Sequence, residues 1–128
     1  MIEVTCAIIM KGDKVLIAQR SEHMSHPLMW EFPGGKLKPA ESPERCIKRE
    51  INEELTAKIK VNQLLPSVIY DYGFRKIKLI PFICSMETEQ ISLTQHNAYS
   101  WIQKHEVDHF ELLEADLEVI KTLNGQWK

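Results

Sequence analysis

Residues 43–55 (Pro-Glu-Arg-Cys-Ile-Lys-Arg-Glu-Ile-Asn-Glu-Glu-Leu) carry two stripes that a helical backbone separates cleanly. Ile47, Ile51 and Leu55 recur every fourth residue, the spacing of a helix with one buried face. Glu50, Glu53 and Glu54 stand at i, i+3 and i+4, so the same helix gathers three carboxylates on one face. Ser42 suits the N-cap, and Pro43 suits the first helical position, where its missing N–H costs nothing. The pattern predicts a helix over 43–55 whose apolar stripe the rest of the chain must cover.

Local stability does not favour the acidic stripe. Like charges at these spacings destabilise a helix by roughly 0.2–0.5 kcal/mol per pair. The glutamates also occupy the last turns, where the macrodipole disfavours anions. A bound divalent cation would offset both effects, and clustered hard oxygen donors suit Mg²⁺ or Mn²⁺. The alternative is a solvated acidic face, partly neutralised by Lys48 and Arg49, with Arg49 paired to Glu53. Upstream, Pro33-Gly34-Gly35-Lys36 reads as a glycine turn, followed by Glu41 just before the helix. A loop entering a helix in this way lends backbone N–H groups and carbonyls to a phosphate–metal site.

The remaining chain reads mainly as strands. Residues 4–10 and 14–19 are rich in β-formers and flank Lys11-Gly12-Asp13, which predicts a hairpin. Residues 20–29 read as a polar loop, and 30–32 as a short strand with Trp30 and Phe32 in the core. Residues 57–72 and 75–85 predict a longer hairpin about Gly73. A strand over 98–102 and a terminal helix over 115–123 follow, the helix with Leu117, Ile120 and Leu123 facing inward. Mixed helices and hairpins predict an α+β fold around a mixed sheet, in one domain over residues 1–128.

Sixteen Lys and Arg stand against 18 Asp and Glu, a formal net charge of −2. That balance argues against a surface built for a nucleic-acid polymer. The longest apolar runs, residues 6–10 and 79–84, fall far short of the ~20 residues of a membrane span. Residues 1–4 lack the basic and apolar regions of a signal peptide. Cys6, Cys46 and Cys84 are odd in number and far apart, so buried free thiols in a reducing cytoplasm are expected. The charge sum conceals one concentration: five of the 18 acids fall between Glu41 and Glu54.

The 23 residues from Gly35 to Ala57 resemble the Nudix box, G-x5-E-x7-R-E-U-x-E-E-x-G-U with U a bulky apolar residue. Gly35, Glu41, Arg49, Glu50, Ile51, Glu53 and Glu54 match. Thr56 replaces the second Gly, and Ala57 is smaller than the usual apolar residue. Thr56 lies at the helix C-terminus, where φ > 0 is often required, and predicts a slightly different helix exit. The Trp-Glu-Phe-Pro-Gly-Gly-Lys lead-in and the Leu-Leu-Glu-Ala-Asp stretch extend the likeness to MutT-type nucleoside triphosphate pyrophosphohydrolases. Within that group the chain looks closest to the CTP and modified-dCTP enzymes.

The resemblance implies an α/β/α sandwich around a mixed sheet, with the box as loop–helix–loop. It implies Mg²⁺- or Mn²⁺-assisted hydrolysis of a nucleoside triphosphate to the monophosphate and pyrophosphate; the protein is expected to be cytoplasmic, and monomer and homodimer both stay open. Carried over by position, Glu50, Glu53, Glu54 and the Gly34 carbonyl hold metal, Arg49 orients the carboxylates, and Glu41 supports the loop. MutT-type enzymes often place a further acid before the strand carrying the tryptophan. Alignment on Trp101 puts Gln95 there, and Gln cannot take a proton. The general base then falls to Glu50 or Glu53, while the neighbouring His96 is expected to be solvent-exposed.

Arg20 resembles an arginine near the substrate phosphates or sugar, and Lys36 is placed to face phosphate. Asp116 stands where purine-selective relatives can carry Asn. An ionised carboxylate accepts from the cytosine N4 amino group but opposes guanine O6. Helix capping is the competing role for Asp116. Besides a cytidine-type pyrophosphohydrolase, the sequence leaves room for an 8-oxo-dGTP sanitiser, a non-catalytic nucleotide-binding module, or a structural domain with an acidic surface helix.

Overall fold

The computed structural model describes residues 1–123 and 125–128. Its centre is made by the two apolar runs noted above. Strand β1 (Ile2–Lys11) and strand β7 (Lys76–Met86) pair in parallel, with Cys6 opposite Pro81 and Ile9 opposite Cys84. Parallel neighbours need cover on both faces, which explains why these strands read as unbroken apolar runs rather than alternating ones. Around them lie β2 (Lys14–Gln19), β3 (Trp30–Glu31), β4 (Gly34–Lys36), β5 (Ile59–Leu64), β6 (Val68–Asp71) and β8 (Ala98–Gln103). The main path is β3-β2-β1-β7-β5, with β4 on β1, β6 on β7 and β8 on β2, and every pairing except β1–β7 is antiparallel.

Two helices cover the sheet. Helix α1 (Pro43–Leu55) places Ile47, Ile51 and Leu55 against Ala7, Ile9, Leu16, Ile80 and Phe82. Helix α2 (Glu114–Lys121) places Ala115 and Val119 against Cys6, Ile8, Val15 and Ile17. The period-two alternation of β1 thus sends Cys6 and Ile8 to one core and Ala7 and Ile9 to the other. Each fully buried aliphatic contributes roughly 1.5–3 kcal/mol. The result is the expected α/β/α sandwich on a mixed sheet. Cys6, Cys46 and Cys84 are all buried and free.

Several local expectations change. Residues 57–72 form two strands, not one, because Pro66 interrupts the run; both pair with β7, β5 at its far end and β6 next to the turn at Gly73. Pro81, inside β7, lies opposite that interruption, and its carbonyl accepts from Leu65 N–H at 2.9 Å. Its missing donor therefore breaks no ladder. A 3-10 segment, Lys104–His109, follows β8. Leu117 is 39% exposed, against expectation, while Ala115, Val119 and Leu123 are buried. On a 3.6-residue helix Leu117 lies across the axis from the stripe that Ala115 and Val119 define.

Thr56 corrects the predicted helix exit. It adopts the left-handed conformation, φ 54°, that a glycine would supply, and its N–H closes the helix on the Asn52 carbonyl at 3.0 Å. That conformation is strained for a β-branched residue. The Thr56 hydroxyl donates to the Ser92 carbonyl at 3.0 Å, an anchor that glycine could not make.

Candidate active site

The caps set where α1 begins. Ser42 accepts from Arg45 N–H at 3.2 Å, and Pro43 opens the helix. The glutamate face then meets β4. The glycines of β4 are not a turn, as the sequence suggested, but an extended strand paired with Val4, Thr5 and Cys6 of β1. Neither has positive φ among the described residues. They are glycines because of close approach. A Cβ on Gly34 would strike the Thr5 carbonyl oxygen, and one on Gly35 would strike the Glu50 carboxylate.

The two glycines therefore predict different outcomes. Gly34→Ala meets backbone and is expected to lose about 2–3 kcal/mol through overpacking. Gly35→Ala meets a side chain that can swing, so it is expected to lower turnover about 10-fold or more with a smaller fall in Tm. Thermal melts and turnover of both variants check this, and equal Tm losses would refute the distinction.

Arg49 organises the acids. Its Nε and Nη2 donate to Glu41 at 2.7 and 2.9 Å, a bidentate pair. Its Nη1 donates to Glu50 at 2.8 Å and to Glu53 at 3.2 Å, and Nη2 also reaches the Lys36 carbonyl at 3.2 Å. The hydrogen bonds from Arg49 and from Lys38 N–H pull the Glu41 carboxyl down to about 2. Glu41 thus ties the loop before α1 to the helix. Glu54 is different. Gly34 N–H donates to it at 3.0 Å, yet burial, reinforced by Glu31 and Glu50, pushes its carboxyl up to about 9. The Glu53 side chain is 53% exposed.

A pocket of about 350 Å³ opens beside β4, lined by Arg20, Glu31, Gly34, Lys36, Glu54 and Asp116 among others. Glu31 has no assigned role at the sequence level, yet it stands at the centre of a charged network. Arg20 Nη1 meets its Oε1 at 2.8 Å, and His96 Nε2 meets its Oε2 at 2.9 Å. His96 is 6% exposed, which corrects the expectation of a solvent-facing histidine; the Glu31 carboxylate holds its ring inside. Its Nδ1 is the one buried side-chain nitrogen or oxygen without a partner among the described residues. Arg20 also donates to Ser25, from Nε to the carbonyl at 2.6 Å and from Nη2 to the hydroxyl at 3.0 Å. A charged residue between two core aromatics in a short strand was the available signal for Glu31.

Asp116 is not a helix cap. Leu112 bridges Trp30, Leu113 is the N-cap residue, and α2 begins at Glu114. Asp116 therefore falls within the first turn, and the Tyr72 hydroxyl accepts from Ala115 N–H at 3.1 Å. The Asp116 side chain instead accepts from Phe32 N–H at 3.1 Å on the pocket wall. Burial, then repulsion from Glu31, raises its carboxyl well above the ordinary range. Trp30 packs edge-on against Phe110, centroids 5.0 Å apart, and Phe32 is buried, so both are core residues as expected.

The donor set suits a hard divalent cation. Gly34, Glu50 and Glu54 come together on adjoining elements, and a cation there would offset what raises Glu54, burial first and then the charges of Glu31 and Glu50. Among the described residues no three acidic, His or Cys side chains already converge as a closed cage. Arg49 engages Glu50 and Glu53, and Gly34 N–H engages Glu54.

Comparison with known proteins agrees with this geometry. The NUDIX domain model matches residues 1–123. The CTP pyrophosphohydrolase of Escherichia coli K12 is 31% identical over 121 residues, covering 94% of this chain and 90% of its own. The 8-oxo-dGTP diphosphatase of Buchnera aphidicola is 29% identical over 120 residues, covering 94% and 91%. The solution structure of the Escherichia coli ORF135 protein superposes with a TM-score of 0.82 at 30% identity, covering 98% of this chain and 92% of its own. No helix among the described residues is long and apolar enough to cross a membrane. Box, sandwich and family match coincide: the chain belongs to the Nudix hydrolases, enzymes with pyrophosphohydrolase activity on nucleotides.

Proposed function

We propose that the enzyme hydrolyses a nucleoside triphosphate to the monophosphate and pyrophosphate, with Mg²⁺ or Mn²⁺, and prefers cytidine-type substrates including modified dCTP. The observation that carries the base assignment is Asp116. It lines the pocket, and its bond to Phe32 N–H holds the carboxyl in place for a ligand. When Asp116 is ionised, its oxygen not engaged by Phe32 N–H accepts from cytosine N4. The 31% identical relative named CTP pyrophosphohydrolase supports the same reading.

Gly34, Glu50, Glu53 and Glu54 would hold the metal, which supplies phosphate charge neutralisation and a water of lowered pKa. Glu53, half exposed and bonded only at 3.2 Å to Arg49, takes the proton of the attacking water, with Glu50 the alternative. Arg49 holds Glu50 and Glu53 in register. Lys36, exposed at the pocket rim, faces the phosphates. Arg20 serves the substrate through the Glu31–Ser25 network as well as by its charge, since three of its donors are already engaged there.

A second substrate reading, 8-oxo-dGTP, has a specific basis. A buried Asp116 that keeps its proton can donate to a purine carbonyl instead of opposing it. Relatives named 8-oxo-dGTP diphosphatase stand beside the cytidine-type one. A panel of NTPs, dNTPs and oxidised forms, with products identified, separates the two. Preference for CTP, dCTP or modified dCTP supports the first reading, and preference for 8-oxo-dGTP replaces it with the second. Asp116→Asn is expected to change the substrate ranking about 10-fold while changing the best-substrate rate less. An unchanged ranking would remove Asp116 from base recognition.

A further inference from the structure

We infer that Phe74 and His26 form an aromatic jaw at the mouth of the pocket that stacks on the nucleobase and sets much of the affinity for the nucleoside end of the substrate. The inference rests on the nucleotide reading above and names residues that the carboxylate helix does not supply.

Phe74 is 72% exposed, yet it lines the pocket that holds Glu31, Glu54 and Asp116. It is presented by a built turn between β6 and β7. Tyr72 N–H donates to the Arg75 carbonyl at 2.9 Å, Asp71 accepts from Gly73 N–H at 2.8 Å, and Gly73 has φ 90°. Such a turn projects the next side chain outward in a fixed direction rather than letting it fold back on the core.

His26 faces Phe74 from the loop between β2 and β3. The two rings are nearly parallel, 27° apart, with centroids at 6.3 Å. His26 also touches the Tyr72 ring at 5.2 Å, which in turn lies 4.7 Å from Tyr70. His26 has φ 50° and Leu28 φ 63°, two non-glycine residues in a conformation L side chains resist. Arg20 braces this loop through both polar groups of Ser25. A strained, braced loop that carries one ring toward another across a pocket mouth is an arrangement that core packing does not require.

A planar base between two rings needs about 3.5 Å to each face, so the two rings, whose centroids lie 6.3 Å apart, must part to admit it. The flat faces are indifferent to which base enters, whereas Asp116 deeper in the pocket reads its edge. Stacking on one aromatic is worth roughly 5- to 150-fold in affinity.

The test compares Phe74→Ala, Phe74→Trp and His26→Ala with wild type. Binding of the non-hydrolysable α,β-methylene analogue of CTP is measured by calorimetry with Mg²⁺, inorganic tripolyphosphate being the base-free control. Phe74→Ala is expected to weaken the analogue about 10-fold or more and raise KM similarly, with tripolyphosphate affinity and kcat unchanged. His26→Ala moves the same way by less, and Phe74→Trp restores or exceeds wild-type affinity. If wild type binds the analogue and Phe74→Ala binds it equally, the jaw is overturned. So it is if tripolyphosphate weakens in parallel. If wild type binds no nucleotide, the nucleotide reading itself fails, and this inference with it.

Discussion

Glu53→Gln is expected to lower kcat about 10³-fold while leaving the fold intact, within the usual range for removing a general base. Glu53 is the best candidate to show this separation. Its side chain is half exposed, and its single side-chain contact is the 3.2 Å bond to Arg49, a pairing of the kind that contributes little to stability. Glutamine keeps the shape and loses the proton acceptor. The measurement is steady-state pyrophosphate release with saturating Mg²⁺, alongside circular dichroism and a thermal melt. A kcat within a few-fold of wild type would remove Glu53 from the chemistry and transfer the base to Glu50, which Arg49 holds at 2.8 Å.

Glu54→Gln is expected to have opposite effects on activity and on stability without metal. Turnover should fall about 10²-fold or more, because the change removes a carboxylate proposed above to hold the metal. Metal-free stability should rise. The folded carboxyl titrates near 9 against an ordinary 4.5, chiefly through burial and then through Glu31 and Glu50. A raised folded pKa favours the fold fully below 4.5, and that contribution is lost as pH rises through 9. Glutamine removes this loss and can still accept from Gly34 N–H.

In chelator the variant should therefore match wild type near pH 4.5 and gain progressively toward pH 9, by about 1–3 kcal/mol at pH 7. That gain corresponds to several degrees in Tm. Added Mg²⁺ should then raise the Tm of wild type by mass action and that of the variant much less. A variant less stable than wild type in chelator at pH 9 would show that Glu54 is not destabilised by its own charge. The expected trade is a site kept strained for function.

What was legible in the chain was what neighbours in sequence determine. The helix over 43–55 was legible in its caps, stripe and acid face, because all three repeat within one turn or two. The opening hairpin was equally local, with Gly12 at its turn. The box identified the family because its letters sit at fixed spacing on one loop and helix, and the family match over residues 1–123 agrees.

Long-range geometry hid the rest. Glu31 and His96 are 65 positions apart, and nothing local says that one will bury the other. Leu117 looked like core because it is apolar. Its exposure follows from where α2 lies against β1, which the helix's own residues do not decide. Asp116 read equally as a cap or as a base contact, and only the fold, with Leu113 as the N-cap residue and α2 starting at Glu114, excludes the cap. The glycines of β4 looked like a turn. Their need for missing side chains comes from Thr5 on one strand and Glu50 on the helix.

The three-glutamate stripe, most of the secondary elements around it and the family follow from residue spacing along one chain. Which carboxyl is hard to ionise, which histidine is held inside, and which aromatics lie beside the pocket follow from contacts between distant segments. Burial, charge repulsion and ring stacking act through space, and they become defined only when the sheet brings distant strands and loops together.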